Sequence, residues 1–215
     1  NYNIWLHLDG AFGGTVIFSN KYKKLIKGIE NTDSFCFNAH KTLGAPLSTS
    51  ILVVKEKKHL HNSFNNEASY LYQTHNDDYN PGQTSLECGR RNNALKFWTM
   101  WKSIGTKGLE KIVDHEFDLA KYAFDYVNSN KDYTLYSFEQ SLSICFNYKD
   151  YDPVDLCSLL YKNSILMVGY GKFREQSFIR LVTINAQNTI KEIEKFFSTL
   201  EDFCEKNNNK IKRKN

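Results

Sequence analysis

The chain has 215 residues, of which 41% are hydrophobic and 14% aromatic, and its formal net charge is +4 at pH 7. This length and composition predict a globular protein with one large domain or two small ones. No apolar run is long enough to span a membrane and no signal peptide is visible, so we expect no membrane partner. The five cysteines are widely spaced and form no zinc-type pair, which favours a reduced, cytoplasmic protein without a bound metal.

The first motif follows an apolar run at residues 4–8, which predicts a buried β-strand. The run ends in Asp9, and Gly10 and Ala11 come next. A carboxylate at the carboxyl end of a strand, followed by glycine that lets the backbone turn closely, is typical of the ligand-binding edge of open α/β sheets. The alternative is that Asp9 only forms a turn or caps a helix.

The second motif lies at the end of the next predicted strand, residues 34–37, which is followed by Asn38, His40 and Lys41. Two adjacent strands would present Asp9 and Lys41 at the same sheet edge. A pyridoxal phosphate enzyme needs this pair, with lysine in a Schiff base with the cofactor and a carboxylate on its pyridinium nitrogen. An ordinary exposed lysine is the alternative.

The middle of the chain predicts a third strand at residues 50–54 and a long polar and aromatic loop at 62–82. Loops of this length inside compact domains are usually functional or mobile. Residues 90–104 predict a helix that Gly105 ends. Its core-facing side is predicted to carry four apolar residues at helical spacing, namely Leu95, Trp98, Trp101 and Ile104, with Phe97 as a further candidate.

The last third of the chain begins with a long amphipathic helix over residues 109–127. Strands are predicted at 133–138, 142–146, 165–168 and 178–184. Asp152 and Pro153 predict the start of a helix that reaches residue 162, and Thr189 with Glu192 predicts a capping box at the start of the last helix.

This order of elements predicts a larger domain over residues 1–128, a small α/β domain over 129–208 and a basic tail at 209–215. We expect the tail to be disordered and solvated rather than bound to nucleic acid, because no aromatic residues are interleaved with its lysines. The chain starts with Asn1 directly before a predicted core strand. We therefore interpret it as a truncated chain.

The two strand-end motifs resemble those of a known family. The sequence Trp-Leu-His-Leu-Asp-Gly-Ala at residues 5–11 and Asn-Ala-His-Lys at 38–41 are similar to motifs of the group II pyridoxal-phosphate-dependent amino acid decarboxylases, in particular the glutamate and cysteine-sulfinate decarboxylases. The resemblance continues in the family's order at residues 68–73, 87–91, 96–102 and 178–182. Two positions depart from the family pattern, because Gly10 replaces an alanine and Ala39 replaces a proline.

The resemblance implies the C-terminal half of an enzyme with the fold-type-I pyridoxal-phosphate-dependent transferase fold, similar to aspartate aminotransferase. It also implies that the full-length enzyme is a homodimer, and it implies the cofactor site. Lys41 would carry pyridoxal 5′-phosphate as a Schiff base, Asp9 would contact the ring nitrogen, and Ala11 would lie under the ring. Asn38 and His40 would lie near the cofactor phosphate.

Two further roles are carried over from the family. Tyr70 resembles the loop tyrosine that returns a proton to the substrate carbon, although Tyr72 and Tyr79 are close competitors. Arg180 lies within an apolar strand, so we expect an anionic partner for it, and the resemblance assigns it to a substrate carboxylate. A structural salt bridge is the alternative for Arg180.

The resemblance implies the decarboxylation of an amino acid, and the expected substrate is an acidic one such as glutamate, aspartate or cysteine sulfinate. Three alternatives stay open. The cofactor could serve an aminotransferase or a cysteine desulfurase instead, or the chain could be a truncated, non-catalytic relative.

Overall fold

The computed structural model describes residues 4–64, 81–87 and 89–214. Within them the chain forms an α/β structure that divides into two compact units, Asn1–Leu109 and Glu110–Asn215. The strands are β1 (His7–Asp9), β2 (Ser34–Asn38), β3 (Ser50–Val54), β4 (Tyr133–Leu135), β5 (Ser143–Tyr148), β6 (Gly169–Phe173) and β7 (Gln176–Val182). The α-helices are α1 (Ala39–Thr42), α2 (Lys57–Phe64), α3 (Asn93–Ser129), α4 (Pro153–Lys162) and α5 (Ile190–Lys206).

The sheet of the first unit has the order β1-β2-β3. Strand β1 runs parallel to β2, with Asp9 opposite Cys36, and β3 runs antiparallel to β2. Side chains alternate between the two faces of β2. Phe35 and Phe37 are buried on one face, where the Phe37 ring lies 6.2 Å from that of Phe97.

Two expectations about the first unit are wrong in this structure. The predicted buried strand at residues 4–8 is reduced to His7–Asp9, and Ile4 is 73% exposed. Between Asn93 and Ile104 of α3 the buried residue is Phe97, whereas the four apolar residues predicted to face the core, Leu95, Trp98, Trp101 and Ile104, are exposed. Helical spacing identifies an apolar face but does not identify which element covers it.

The second unit contains a four-stranded sheet in the order β4-β5-β7-β6, and all of its neighbouring strands are antiparallel. Its core is formed by fully buried apolar side chains from the sheet and the helices, including Val113, Ile144, Phe146, Leu156, Ile179, Phe197 and Leu200. Helix α3 runs into this unit after an interruption at Gly105, where φ is 70° and ψ is 173°. A positive φ favours glycine, so the helix break predicted at this residue is confirmed.

Both predicted helix starts in the second unit are confirmed. The Asp152 side chain accepts a hydrogen bond from the Asp155 backbone N–H at 2.8 Å at the start of α4. The capping box of Thr189 and Glu192 is present at the start of α5. The strand predicted at residues 165–168 is wrong, because the structure forms β6 at Gly169–Phe173 instead.

The tail also differs from the prediction, since residues 209–214 are docked on the second unit. Ile211 is 4% exposed, and Arg213 forms a β-bridge with Tyr151 and an ion pair with Asp150. The lysines of the tail predict disorder, but Ile211 and Arg213, which lie between them, anchor it. The two compact units meet at residues 109 and 110, within α3, and not at the predicted boundary near 128.

Candidate active site

The predicted site forms where β1 and β2 end side by side. The turn after β1 is fastened to β2 by two backbone hydrogen bonds, from Gly10 N–H to the Cys36 carbonyl at 2.9 Å and from Asn38 N–H to the Ala11 carbonyl at 3.2 Å. Helix α1 begins directly after β2 and carries Lys41. The parallel pairing therefore brings Asp9 and Lys41 to one edge of the sheet, as their positions in the sequence predict.

The close fit of the turn depends on Gly10. A Cβ atom at this residue would lie 2.6 Å from the Phe35 ring, 2.8 Å from the Cys36 carbonyl oxygen and 2.8 Å from the Gly14 Cα. Two of these three contacts are with backbone, which has little freedom to move. The exchange of the family's alanine for Gly10 is thus matched by a backbone that leaves no space for a methyl group.

Asp9 has an exposed carboxylate, and its two oxygens differ in the number of hydrogen bonds that they accept. Oδ1 accepts a hydrogen bond from the Ala11 backbone N–H at 2.9 Å and another from the Cys36 thiol at 3.6 Å. No residue in the described part of the chain donates to Oδ2. The bond from Ala11, then the bond from Cys36, and then the nearby His7 and Lys41 hold the pKa of Asp9 below its ordinary value.

Lys41 is exposed on α1. Its positive charge contributes to the lowered pKa of Asp9, so the two groups lie within electrostatic reach of each other. Among the described residues, none forms a hydrogen bond or an ion pair with the Lys41 ammonium. An uncommitted amine within electrostatic reach of a carboxylate has the chemistry needed to bind an aldehyde cofactor covalently.

His40 and Asn38 lie at the carboxyl end of β2, close to Lys41 in the chain. Nδ1 of His40 lies 2.8 Å from the Thr49 carbonyl oxygen and 3.0 Å from the Thr49 backbone nitrogen, so the segment before β3 fixes the ring. Asn38 is the N-cap residue of α1, and its side chain makes no capping hydrogen bond. Both side chains are half-buried at the sheet edge.

The other two predicted residues are placed differently. Arg180 lies in β7 of the second unit and is exposed, and its Nε and Nη2 donate to the Ser143 Oγ at 3.2 and 3.1 Å. Arg180 lies within the predicted apolar strand, and strand alternation buries Ile179 and exposes Arg180. Tyr70 and its competitors Tyr72 and Tyr79 lie outside the described residues.

The sequence interpretation missed two residues that contact this site, Cys36 and His7. The Sγ of Cys36 lies 3.6 Å from Asp9 Oδ1 and 3.7 Å from His7 Nε2. The available signal was the alternation in β2, which places Cys36 on the same face as Ser34 and Asn38. Among the described residues, no group of three or more histidine, cysteine, aspartate or glutamate side chains is arranged to hold a metal ion.

Known proteins that are similar to this chain include decarboxylases. The family model of the pyridoxal-dependent decarboxylase conserved domain matches residues 1–149. The chain belongs to the pyridoxal-dependent decarboxylase family. It is 33% identical over 208 residues to an acidic amino acid decarboxylase of Homo sapiens, covering 86% of this chain and 40% of the relative. It is 30% identical over 223 residues to the Homo sapiens cysteine sulfinic acid decarboxylase, covering 93% of this chain and 45% of the relative.

Solved structures of decarboxylases share the fold. The crystal structure of mouse CSAD aligns with a TM-score of 0.81 at 27% identity, over 92% of this chain and 45% of that one. A tryptophan decarboxylase of Catharanthus roseus aligns with a TM-score of 0.81 at 20% identity, over 95% of this chain and 45% of that one. This decarboxylase-family chain has the fold of the fold-type-I pyridoxal phosphate enzymes, and it spans less than half the length of these relatives.

The residues of this decarboxylase-family chain fit pyridoxal 5′-phosphate. Asp9 has an oxygen, Oδ2, without a described donor, and Lys41 has an amine without a described partner. Ala11 provides a small side chain beside them, and Asn38 and His40 provide polar groups at the same edge. The described helices include none with the length and apolarity required to cross a membrane.

Proposed function

We propose that the protein catalyses the pyridoxal phosphate-dependent decarboxylation of an acidic amino acid. The observation that carries this proposal is that Asp9 and Lys41 lie at one edge of the sheet in a chain of the pyridoxal-dependent decarboxylase family. Relatives named as acidic amino acid and cysteine sulfinic acid decarboxylases support the acidic substrate. When bound, the cofactor supplies an electron-accepting ring for the electron pair left as the α-carboxylate departs as CO2.

Each proposed residue has a separate task. Lys41 would bind the cofactor covalently through Nζ and then yield it to the substrate amine. Asp9 would hold a proton on the ring nitrogen, since an adjacent carboxylate favours the charged form of a base. Ala11 would support the ring from below, while Asn38 and His40 would orient the phosphate end.

Two proposed tasks concern the substrate. Tyr70 would donate a proton to the carbon that loses CO2, and the reaction then gives an amine and CO2. Arg180 would bind a substrate carboxylate, and its exposed guanidinium, which already donates to Ser143, supports a role in binding an anion. Both assignments rest on the family resemblance.

Assembly and location also belong to this proposal. We infer a homodimer, which is supported by the exposed apolar row of α3 formed by Leu95, Trp98, Trp101 and Ile104. The four cysteines that the structure describes, Cys36, Cys145, Cys157 and Cys204, are unpaired, which supports a reducing compartment such as the cytoplasm. The proposed partners are a small amino acid and a second copy of the protein, and they do not include nucleic acid.

The test uses the protein expressed from its complete coding sequence and loaded with pyridoxal phosphate. Borohydride reduction followed by peptide mapping should place the phosphopyridoxyl group on Lys41, and Lys41→Ala should abolish the label. Lys55→Ala, which changes an exposed lysine next to β3, is the matched control and should keep it. A label on another lysine contradicts the site. Acidic amino acids should yield CO2 and an amine, whereas a keto acid product would identify an aminotransferase.

A further inference from the structure

A line of polar side chains on one face of β1 and β2 ends at Asp9. The Trp5 indole Nε1–H donates to Ser34 Oγ at 2.8 Å, and Ser34 Oγ lies 2.7 Å from His7 Nδ1. His7 Nε2 lies 3.7 Å from Cys36 Sγ, and this sulfur lies 3.6 Å from Asp9 Oδ1. Five residues, namely four from β1 and β2 and Trp5 just before β1, are thus connected by four consecutive contacts.

The register of the sheet explains why these residues meet. His7 pairs with Ser34 and Asp9 pairs with Cys36 across the parallel strands. Residues two apart along a strand share a face, so all four side chains lie on the same side of the sheet. Phe35 and Phe37 occupy the opposite face and are buried there.

The donor at one end of the line and the acceptor at the other determine the direction in which its hydrogen bonds run. An indole N–H can only donate, and an ionised carboxylate can only accept. If the Cys36 thiol donates to Asp9, its sulfur remains as the acceptor for the Nε2–H of His7. In neutral His7, Nδ1 then accepts from the Ser34 hydroxyl, whose oxygen accepts from Trp5. Every donor along the line therefore finds an acceptor.

The thiol is suited to act as the last donor. Burial, and then the neighbouring Asp9, raise the pKa of Cys36, so the sulfur keeps its proton at neutral pH. The thiol and the Ala11 N–H both donate to Oδ1 of Asp9. Two donors on one oxygen restrict the rotation of the carboxylate and leave Oδ2 for other ligands.

We propose that Cys36 is a positioning residue for Asp9, held by His7, Ser34 and Trp5, and that it directs Oδ2 of Asp9 to the ring nitrogen of the cofactor. This inference rests on the proposed function, and it adds a residue that acts through Asp9 without contacting the cofactor. The thiol supplies the second of two restraints on the carboxylate, and its loss leaves only the Ala11 N–H.

The experiment compares variants of the protein expressed from its complete coding sequence. Two quantities are measured without substrate, the dissociation constant of pyridoxal phosphate and the 15N chemical shift of a cofactor labelled in its ring nitrogen. Cys36→Ala should weaken cofactor binding about fivefold, the effect of losing one net hydrogen bond. It should also move the ring-nitrogen resonance toward that of the deprotonated ring.

Two further variants test the direction of the line. Cys36→Ser keeps a donor at this position and should recover most of both effects. His7→Phe removes the donor to the sulfur but keeps the thiol, so it should shift both readouts in the same direction as Cys36→Ala and by a smaller amount. Because Cys36→Ser and His7→Phe change different groups, the test remains decisive if Cys36→Ala folds poorly.

Cys145→Ala is the matched control, since Cys145 is a half-buried cysteine in a strand of the second unit. It should leave both readouts unchanged. The inference is overturned if Cys36→Ala changes neither readout, or if Cys145→Ala changes them equally. Absence of label on Lys41 in the unsubstituted protein would instead refute the proposed function, so the two failures are distinguishable.

Discussion

At the scale of single residues, Glu116 is the most unusual group outside the candidate site. It lies on α3 with none of its surface exposed, and neither carboxylate oxygen has a hydrogen-bond partner in the part of the chain that the structure describes. Burial raises the pKa of Glu116 from 4.5 to about 9. A carboxyl in this setting is neutral at physiological pH, because ionisation in an apolar core is costly.

This burial predicts that the protein loses stability as the pH rises. Below about pH 4.5 Glu116 is protonated in both the folded and the unfolded chain, so its ionisation does not affect the unfolding free energy. Between about pH 4.5 and 9 only the unfolded chain ionises, which lowers the unfolding free energy by at most about 1.4 kcal/mol per pH unit. Glu116→Gln should therefore raise the melting temperature increasingly from about pH 5 to pH 9.

The control for this prediction is Glu205→Gln, which changes an exposed glutamate of α5 and should give the same melting temperature as the unsubstituted protein at each pH. Equal pH dependence in the protein and in Glu116→Gln would contradict the burial argument. Glu116→Met, which also removes the polar atoms, should stabilise the protein further, because no amide is then left without a partner.

At the scale of elements, the turn between β1 and the 3-10 helix at Gly14–Phe18 depends on two glycines with opposite properties. Gly10 has no space for a Cβ atom, whereas Gly13 has no neighbour within 4 Å. Gly10→Ala should lower the unfolding free energy by about 1–3 kcal/mol, the usual cost of overpacking a well-packed site. Gly13→Ala should cost much less. Urea unfolding of the two variants measures the difference, and equal costs would contradict the close fit at Gly10.

The sequence predicted those elements whose signals are local. The caps at Asp152 and Thr189 act on backbone groups a few residues away, and the break at Gly105 needs only its own backbone. The position of β6 cannot be predicted from its sequence, because Gly169 and Gly171 interrupt its pattern and its formation depends on pairing with β7. The buried face of residues 93–104 in α3 cannot be predicted either, because it depends on distant elements.

In the candidate site, too, some residues could be predicted from the sequence and others could not. Asp9 and Lys41 could be located from sequence because each lies within four residues after an apolar run, and strand ends in such sheets face a common edge. Cys36 and His7 could not be assigned, since their contact with Asp9 requires the register between β1 and β2. The exposure of Arg180 likewise depends on which face of β7 packs inward.

At the scale of the whole molecule, the exposed apolar row of α3 is the proposed contact between two copies of the protein. Leu95 is 53% and Trp98 58% exposed, and contiguous apolar surface of this kind usually marks an interface. The double substitution Leu95→Glu and Trp98→Glu should convert the dimer to a monomer, which sedimentation velocity measures. Ser103→Glu, at an exposed position of α3 outside the row, should leave the dimer intact. An unchanged sedimentation coefficient in the double variant would refute this interface.

The docked tail has a practical consequence for protein engineering. Ile211 is buried, the Lys212 carbonyl accepts from the Asp152 N–H at 2.8 Å, and the Lys214 N–H donates to the Asp150 carbonyl at 2.8 Å. A fluorescent domain or affinity tag fused after residue 214 would therefore start from an anchored point on the protein surface. Such a fusion needs a flexible spacer. Truncating the tail before residue 211 would remove the buried Ile211 side chain from the second unit.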